Sequence, residues 1–533
     1  MRDVWVADAE TDPFEHGAII RPFLWGITNG STYYEFESTD AFLEFVASLG
    51  DVVIYAHNGG KFDWHFLLHA LEEFSPVMII AGRLAKFKIG DAEFRDSYNI
   101  LPAPLSAYKK DEIDYTIFRK PLRRIPANWR KIQEYLRADC LYLFEMVSEF
   151  IKRYGMNLTF ASAAMKQWQK LENITAPETT ADFYHEFAPY YYGGRVECFH
   201  LGRIHSPFRV IDINSAYPFA MKHVHPYGET WIESQTLPIG DSLNRAFITL
   251  EAPARGAFPF RMPDGSLEFP ADGESRIFHV TGWEYVAARE TGALGPHSIQ
   301  RVLSLPLTIR FDKYIDHFFA LKAAAKSSGD KLGYIFAKFF LNGLYGKFAA
   351  NPEKYSEYIV CDKTLIHGAM QNGYEFESEL GPWALMARPL EESRQRFYNL
   401  AVGASITGFV RAYLFRAMRQ CSGVLYCDTD SIACAGTGSL ALDAERLGAW
   451  DCEAECTSGG IAGKKLYAFR RADGSYKTAS KGVRLTAADI LRIADGEDVT
   501  YRSEAPTFSA FRGQRYIKRT IRRKGVAKRR QRA

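Results

Sequence analysis

Tyr426-Cys427-Asp428-Thr429-Asp430-Ser431-Ile432-Ala433-Cys434 sets two carboxylates one residue apart inside an otherwise apolar, strand-like run. Such groups are costly to bury unless a cation neutralises them. On a strand, residues i and i+2 face the same way, so Asp428 and Asp430 can hold hard cations together, and a turn at the pair would serve equally well. Mg²⁺ with phosphate oxygens suits an all-oxygen site of this kind. Taken alone, the segment also fits a solvated acidic hairpin tip. Far upstream, Arg209-Val210-Ile211-Asp212-Ile213-Asn214-Ser215-Ala216-Tyr217-Pro218 delivers one carboxylate from a β-branched run that then breaks at a proline. Asp212 could be a turn or cap residue, or it could complete the site. Three carboxylates on adjacent strands can hold two cations about 3.5–4 Å apart, which stabilises the attacking and leaving oxygens of an in-line phosphoryl displacement.

A third segment, Lys326 through Gly346, repeats Lys331, Lys338, Asn342 and Tyr345 at helical spacing on one stripe. Ile335, Phe339 and Leu341 supply apolar surface, the lysines could meet a triphosphate, and Tyr345 could stack on a base. A solvated basic helix face reads the same way. A second acidic set lies near the N-terminus. Asp8 and Glu10 share a face of Val4–Thr11, and Asp63 follows the glycine turn of Ile54–Asp63. Tyr135 and Asp139 are i and i+4 on a helix and so lie one above the other. Capping or surface charge explains each of these singly; the joint pattern of DxE, N(x)₃FD and YxxxD points to a second metal site.

In order and wording these segments resemble the family B DNA polymerases: DINSAYP at 212–218, KFFLNGLYG at 338–346 and YCDTDS at 426–431 match motifs A, B and C. Gly343 stands where the family usually has Ser, and a helix-interior Gly costs about 1 kcal/mol relative to Ala, so finger stiffness or nucleotide affinity should differ. The resemblance implies that Asp212 and Asp430 are the principal metal ligands, with Asp428 a further catalytic acid. It places Lys338 and Lys326 against triphosphate, Tyr217 under the nucleotide sugar, and Asn342 and Tyr345 at the nascent base pair, with Ser215 also binding the nucleotide. An aromatic ring under the sugar excludes a 2′-hydroxyl, the group by which proteins tell RNA from DNA.

The N-terminal set resembles the three Exo motifs of DEDD 3′–5′ exonucleases. Asp8, Glu10, Asp63 and Asp139 would be metal ligands and Tyr135 would orient the attacking water. Asn58, Phe62, Ser97 and Tyr98 would bind the single-stranded 3′ end. A further exonuclease lysine of protein-primed members is expected near Ile117, with Lys120 the candidate. Tyr191, Gly193 and Gly194 match the YxGG linker, whose paired glycines allow close backbone approach to a strand. Lys465 and Tyr467 match the KxY motif that holds a primer end.

Lys338 lies 121 positions after Tyr217, far more than a turn into a finger helix needs. Residues 224–313 and 350–398 therefore read as the two terminal-protein-region insertions of the protein-primed, phi-twenty-nine-type branch. That branch implies a processive, strand-displacing phage polymerase replicating a linear viral or plasmid genome, with two Mg²⁺ per active site (Mn²⁺ able to substitute). The implied partners are template and primer DNA, dNTPs and a terminal protein, and the enzyme would act as a monomer in the host cytoplasm. Two alternatives stay open: a relative that starts from an ordinary primer or none, and a non-catalytic DNA-binding scaffold.

Composition agrees. With 533 residues and 47% hydrophobic content the chain can bury a large core in more than one domain. It has no 18-residue apolar run and no signal-peptide pattern at its start. Its eight cysteines form no CxxC, which favours reduced thiols. Net charge is only +3, but Arg512 to Ala533 carries eleven Lys or Arg and no acid, leaving the remainder at −8. Such a cluster can track phosphates and release counterions; a disordered tail or a loose tether would look similar.

The expected architecture is α/β and α+β, multidomain. An RNase H-like 3′–5′ exonuclease domain spans 1–160, followed by a right-hand polymerase with an antiparallel palm over 161–223 and 399–485. Fingers are expected at 314–349, the insertions at 224–313 and 350–398, and a thumb with the basic tail at 486–533.

Overall fold

In the computed structural model the described residues are 2–15, 19–175, 178–380, 382–511 and 513–523. The apolar run Asp3–Thr11 lies in a ten-stranded sheet, parallel to Val52–Ala56, which is in turn parallel to Ala92–Asp96. Strands with parallel neighbours need cover on both faces. One cover is the helix Pro126–Tyr154, which starts on a proline and ends at Gly155 with φ 79°. Its buried stripe runs from Ile132 through Leu136, Cys140 and Leu143 to Val147 and Phe150, the spacing of a core-facing helix. The opposite face packs on helix Thr39–Leu49, where Phe42 stacks on Trp25 at 4.6 Å.

The second large sheet is antiparallel and has the order Tyr476–Ser480, Leu466–Arg471, Trp450–Gly463, Phe208–Ile213, Ser431–Gly436, Ser422–Asp428, Val196–Cys198, with Gly202–Ile204 also pairing on Trp450–Gly463. Helix Leu400–Gln420, buried nearly all round, backs it. Residues 224–313 include a four-stranded sheet and the helix Gly282–Glu290 around their own core, which Ala412 and Phe415 of that backing helix complete. Helices Asp312–Ser328 and Lys331–Gly343 form a hairpin whose turn uses Gly329 at φ 73° and the side-chain cap of Asp330 on the Gly333 amide. Phe318 stacks on Phe340 across it at 4.5 Å.

Two features depart from the expected boundaries. Helix Phe160–Glu172, placed in the palm by the sequence reading, packs on the helical hairpin instead: Phe160 meets Phe339 and Phe340 at 5.6 and 4.7 Å. Its apolar face matches the hairpin, and sheet strands of the palm begin only at Val196. Residues 350–398 do not stand apart either. Strand Ser356–Asp362 pairs with Ser75–Ile80, so this insertion extends the N-terminal sheet. Paired strand edges satisfy backbone groups that would otherwise be exposed.

The chain's C-terminal part contains helix Ala487–Ala494 and two short ribbons. The hairpin of Thr507–Ser509 and Gly513–Arg515 rests on the N-terminal domain, with the Ala510 amide donating to the Gly82 carbonyl at 3.2 Å. Of the basic tail, Arg512 and 524–533 lie outside the described residues. Within it, Arg522 pairs with Asp498 at 2.9 Å and Arg523 donates to the Ala494 carbonyl. Among the described residues no helix is long and apolar enough to cross a membrane.

Candidate functional sites: two sets of carboxylates

Motifs A and C meet in one sheet. Asp212 sits opposite Ser431, and the Ile213 amide donates to the Asp430 carbonyl at 2.9 Å. Asp428 pairs with Ser431, so Thr429 and Asp430 form a two-residue turn, with Thr429 at φ 59°. The acidic pair is thus a hairpin tip, but not a solvated one. Burial first, and then Asp430, push the Asp212 carboxyl up to about 7. Burial chiefly, with Asp428 adding to it, raises Asp430 to about 6.

Asp428 has a different setting. Lys465 Nζ contacts both of its oxygens at 2.7 and 2.8 Å, and the Tyr426 hydroxyl donates to it at 3.3 Å. The lysine expected at a primer end therefore neutralises the third carboxylate here, while Tyr467 packs on Tyr426 at 5.2 Å. The sequence reading missed Glu453 and Asp451, which also raise Asp212. Asp451 is its cross-strand partner, and Glu453 pairs with Lys477. The alternating acids of Trp450-Asp451-Cys452-Glu453 carried that signal.

Tyr217 stacks face to face on Tyr345, centroids 3.9 Å apart, so here Tyr345 covers a ring where base stacking was expected. Asn342 is turned back onto its own helix, donating to the Lys338 carbonyl at 2.8 Å. Ser215 has φ 56° and donates to Asn214 Oδ1. Burial lowers the pKa of Lys322, and Lys338 and Lys326 lower it further, which brings three finger lysines within electrostatic range. Lys322 was missed although it stands one helical turn before Lys326. Lys331 stands exposed in the first turn of its helix. The Gly343 departure has a steric cause, since a Cβ there would lie 2.5 Å from the Phe160 ring.

The YxGG segment is fastened from behind. Arg411, 2% exposed, donates to the Tyr192 and Gly193 carbonyls at 2.5 and 3.0 Å and pairs with Glu284 at 2.7 Å. Arg261 donates to the Tyr191 carbonyl at 3.3 Å. A Cβ on Gly194 would strike Thr429 at 2.6 Å, and the Thr429 amide donates to the Arg195 carbonyl at 2.7 Å. The close approach this glycine permits is therefore to the motif C turn. Gly193 faces open space.

In the N-terminal domain, Asp8, Glu10, Asp63 and Asp139 converge. Burial chiefly, then Asp139, lift Asp8 to about 7. Glu10 lies well above its ordinary range through burial and then Asp8, Asp139 and Asp63; Asp63 is raised by burial and then Asp8. Glu10 Oε1, Asp63 Oδ1 and Asp139 Oδ1 are buried without hydrogen-bond partners. Buried carboxylate oxygens left without partners fit hard divalent cations in their donor chemistry. Among the described residues, however, no three acidic, His or Cys side chains are already drawn in closely enough to enclose an ion.

The cation at this site is Lys110, 3.4 Å from Asp139 and over the Tyr135 ring at 5.6 Å. Lys120, the expected candidate, is exposed in the short helix Lys120–Arg123. The loop before that helix folds back over Tyr135, a path that linear spacing does not encode. Tyr115, also missed, shares a 2.9 Å hydrogen bond with Tyr135. Two expected strand-binding residues differ from expectation. Ser97 is fully buried, its hydroxyl within 3.0 Å of His57 Nδ1 and 3.2 Å of the Ala56 carbonyl. The Phe62 ring is packed edge-on against Phe14, Phe66 and the C-terminal hairpin's Phe508, the last at 5.2 Å.

The profile of the family described as DNA polymerase type B, organellar and viral, matches residues 108–243 and 308–381. The chain is 38% identical to the DNA-directed DNA polymerase of Enterobacteria phage PRD1, over 96% of its own length and 97% of the relative's. It is 26% identical to the DNA polymerase of Bacillus phage phi29 over 45% of this chain and 41% of that one. The solved phi29 DNA polymerase complexed with primer-template DNA and incoming nucleotide substrates superposes with a TM-score of 0.74 at 19% identity, covering 98% of this chain and all of the other.

Proposed function

Because this chain belongs to the type B DNA polymerases of organelles and viruses, we propose that it copies DNA at the Asp212/Asp430 site and proofreads it at the Asp8/Glu10/Asp63/Asp139 site. It is a DNA-directed DNA polymerase with a 3′–5′ exonuclease domain. The observation that carries the assignment of residues is the meeting of two half-buried carboxylates, Asp212 on a strand and Asp430 in the adjoining hairpin turn, each raised above its ordinary range, beside a lysine-bearing helical hairpin.

Divalent cations held by the carboxylates, Mg²⁺ for preference and two at each site, would neutralise the attacking and leaving oxygens. Asp212 and Asp430 hold that charge in place, while Lys465 occupies both oxygens of Asp428. Lys338, Lys326 and Lys322 receive the triphosphate. Tyr217, locked against Tyr345, closes the space a 2′-hydroxyl would need. At the second site Tyr135 orients water, and Lys110 offsets the charge gathered around Asp139. Template, primer and dNTPs are the substrates.

Priming by a terminal protein's hydroxyl is the reading for initiation, supported by the inserted domain between motif A and the fingers. Strand displacement is supported by the second insertion, whose strands prolong the exonuclease sheet and meet the C-terminal hairpin: Ser378 donates to the Ala510 carbonyl, and Phe511 lies 5.9 Å from Tyr358. A viral or plasmid genome copied in the host cytoplasm is the setting this implies.

Extension of a labelled primer on a single-stranded circle, with Mg²⁺, dNTPs and a trap for dissociated enzyme, tests the reading. Products longer than the circle are expected; products that stop where the duplex begins would refute displacement. Incubation with template, dATP and a candidate terminal protein should yield a covalent protein–dAMP adduct. Its absence beside normal primer extension would favour initiation from an ordinary primer.

A further inference from the structure

Asn58 and Tyr98, two of the residues assigned to the frayed strand, are joined by a side chain that no motif contains. Arg83 opens the strand Arg83–Ile89 directly after a tight turn in which Ala81 and Gly82 have φ 50° and 73°. A non-glycine residue in the left-handed region costs roughly 1–2 kcal/mol, so the turn is held against a local preference. It aims Arg83 inward. Arg83 Nη1 donates to Asp96 Oδ2 at 2.8 Å and to Asn58 Oδ1 at 3.0 Å, and its guanidinium lies 4.2 Å from the Tyr98 ring centroid. The other oxygen of Asp96 accepts from the Tyr98 amide at 2.9 Å.

The chemistry of this arrangement is directional. A guanidinium can only donate, so it fixes the Asn58 amide with its oxygen inward and its NH₂ outward, as a donor toward phosphate or base. The cation lies over the half-buried Tyr98 ring, which also meets His57 at 5.9 Å, so Arg83 and His57 together fix the plane in which Tyr98 can stack on a base. Asp96, fully buried on its side chain, keeps Arg83 in this position. Among the described residues Arg83 forms an ion pair with Asp96 and with none of Asp8, Glu10, Asp63 and Asp139.

We propose that Arg83 is the positioning residue of the exonuclease strand cleft, setting Asn58 and Tyr98 for capture of a single-stranded 3′ end without taking part in hydrolysis. The proposal rests on the reading of the Asp8/Glu10/Asp63/Asp139 set as the excision site. A lysine at this position could still donate to Asp96 and Asn58 from one nitrogen, as Nη1 does, but it could not lie as a planar cation over Tyr98.

Excision of a labelled single-stranded oligonucleotide by the full-length chain in Mg²⁺ separates the possibilities. Arg83→Lys is expected to raise KM about tenfold, the loss of the planar cation over Tyr98, with kcat within about twofold of the parent. Arg83→Met combined with Asp96→Asn removes both buried charges, so that no orphaned carboxylate disturbs folding, and should show the same KM defect at a near-parental melting temperature. An unchanged KM in both variants would overturn the proposal. So would a KM rise that appears only together with a lowered melting temperature, because that marks a merely structural role. Asp8→Asn is measured alongside. If it excises as well as the parent, the reading of the site itself fails, a result distinct from failure of the Arg83 assignment.

Discussion

Arg411→Met should loosen the polymerase site from behind. In the folded protein Arg411 Nε pairs with Glu284 at 2.7 Å, and Nη1 holds the Tyr192 and Gly193 carbonyls. Glu284 is 3% exposed, and its other oxygen caps the helix Gly282–Glu290 through the Thr281 amide and hydroxyl. Removing the cation strands a buried carboxylate, which costs about 3–5 kcal/mol. The two carbonyls lose their donor as well, so a local loss of about 4 kcal/mol is expected after partial relaxation. Most of it should return in Arg411→Met/Glu284→Gln, where no charge remains and the glutamine oxygen still caps the helix. Hydrogen exchange read separately on peptides 282–290 and 400–420 reports the local opening free energy. At about 1.4 kcal/mol per factor of ten, the single variant should exchange there almost a thousandfold faster. Primer–template affinity should fall with it, since the YxGG backbone is no longer held, whereas excision of single-stranded DNA should persist. Exchange as slow as the parent's would refute the reasoning, and a double variant as fast as the single one would show that the stranded charge is not the cause.

Asp430→Asn should abolish nucleotide addition and keep excision, and Asp8→Asn should do the reverse; equal loss of both activities in either variant would undo the two-site assignment. Lys110→Met should slow excision by about 10- to 100-fold, the range for losing a side chain that supports a metal-holding carboxylate, with Lys120→Met unchanged, as read by single-turnover degradation of a single strand. Gly343→Ser should destabilise the finger hairpin by about 1–3 kcal/mol through overpacking against Phe160, and Phe160→Leu in the same chain should restore its melting temperature. For pH, Asp8 and Asp212 are raised to about 7 and Asp430 to about 6 from an ordinary 3.8. Between these limits the folded chain holds protons that the unfolded chain has released, so metal-free stability falls as pH rises through that window. Melting scans in chelator at about pH 5 and 8 should show this fall, and Mg²⁺ should raise the melting temperature more at the higher pH.

The chemistry was legible in the sequence because metal-assisted phosphoryl transfer restricts residue type and short-range spacing at once. Asp428 and Asp430, Asp8 and Glu10, and Tyr135 and Asp139 are fixed relative to one another by a strand, a turn or a helix period, so each pair could be read where it stands. The long antiparallel palm also followed, since motifs A and C had to share a sheet. Ionic and steric partners were not legible in this way. A cation satisfies a carboxylate from any direction, so nothing within a few residues of Asp139 pointed to Lys110, and nothing near Asp428 showed that Lys465 would occupy it.

Residue types and local periods by themselves determined which carboxylates belong together and that they fall into two sets. Only the tertiary structure decided which charges neutralise them, that Arg411 and Glu284 clamp the YxGG backbone, that Gly343 makes room for Phe160, and that the second insertion prolongs the exonuclease sheet. These are contacts between segments up to several hundred residues apart, set by how apolar faces and strand edges find cover in the folded chain, and no local pattern carries that information.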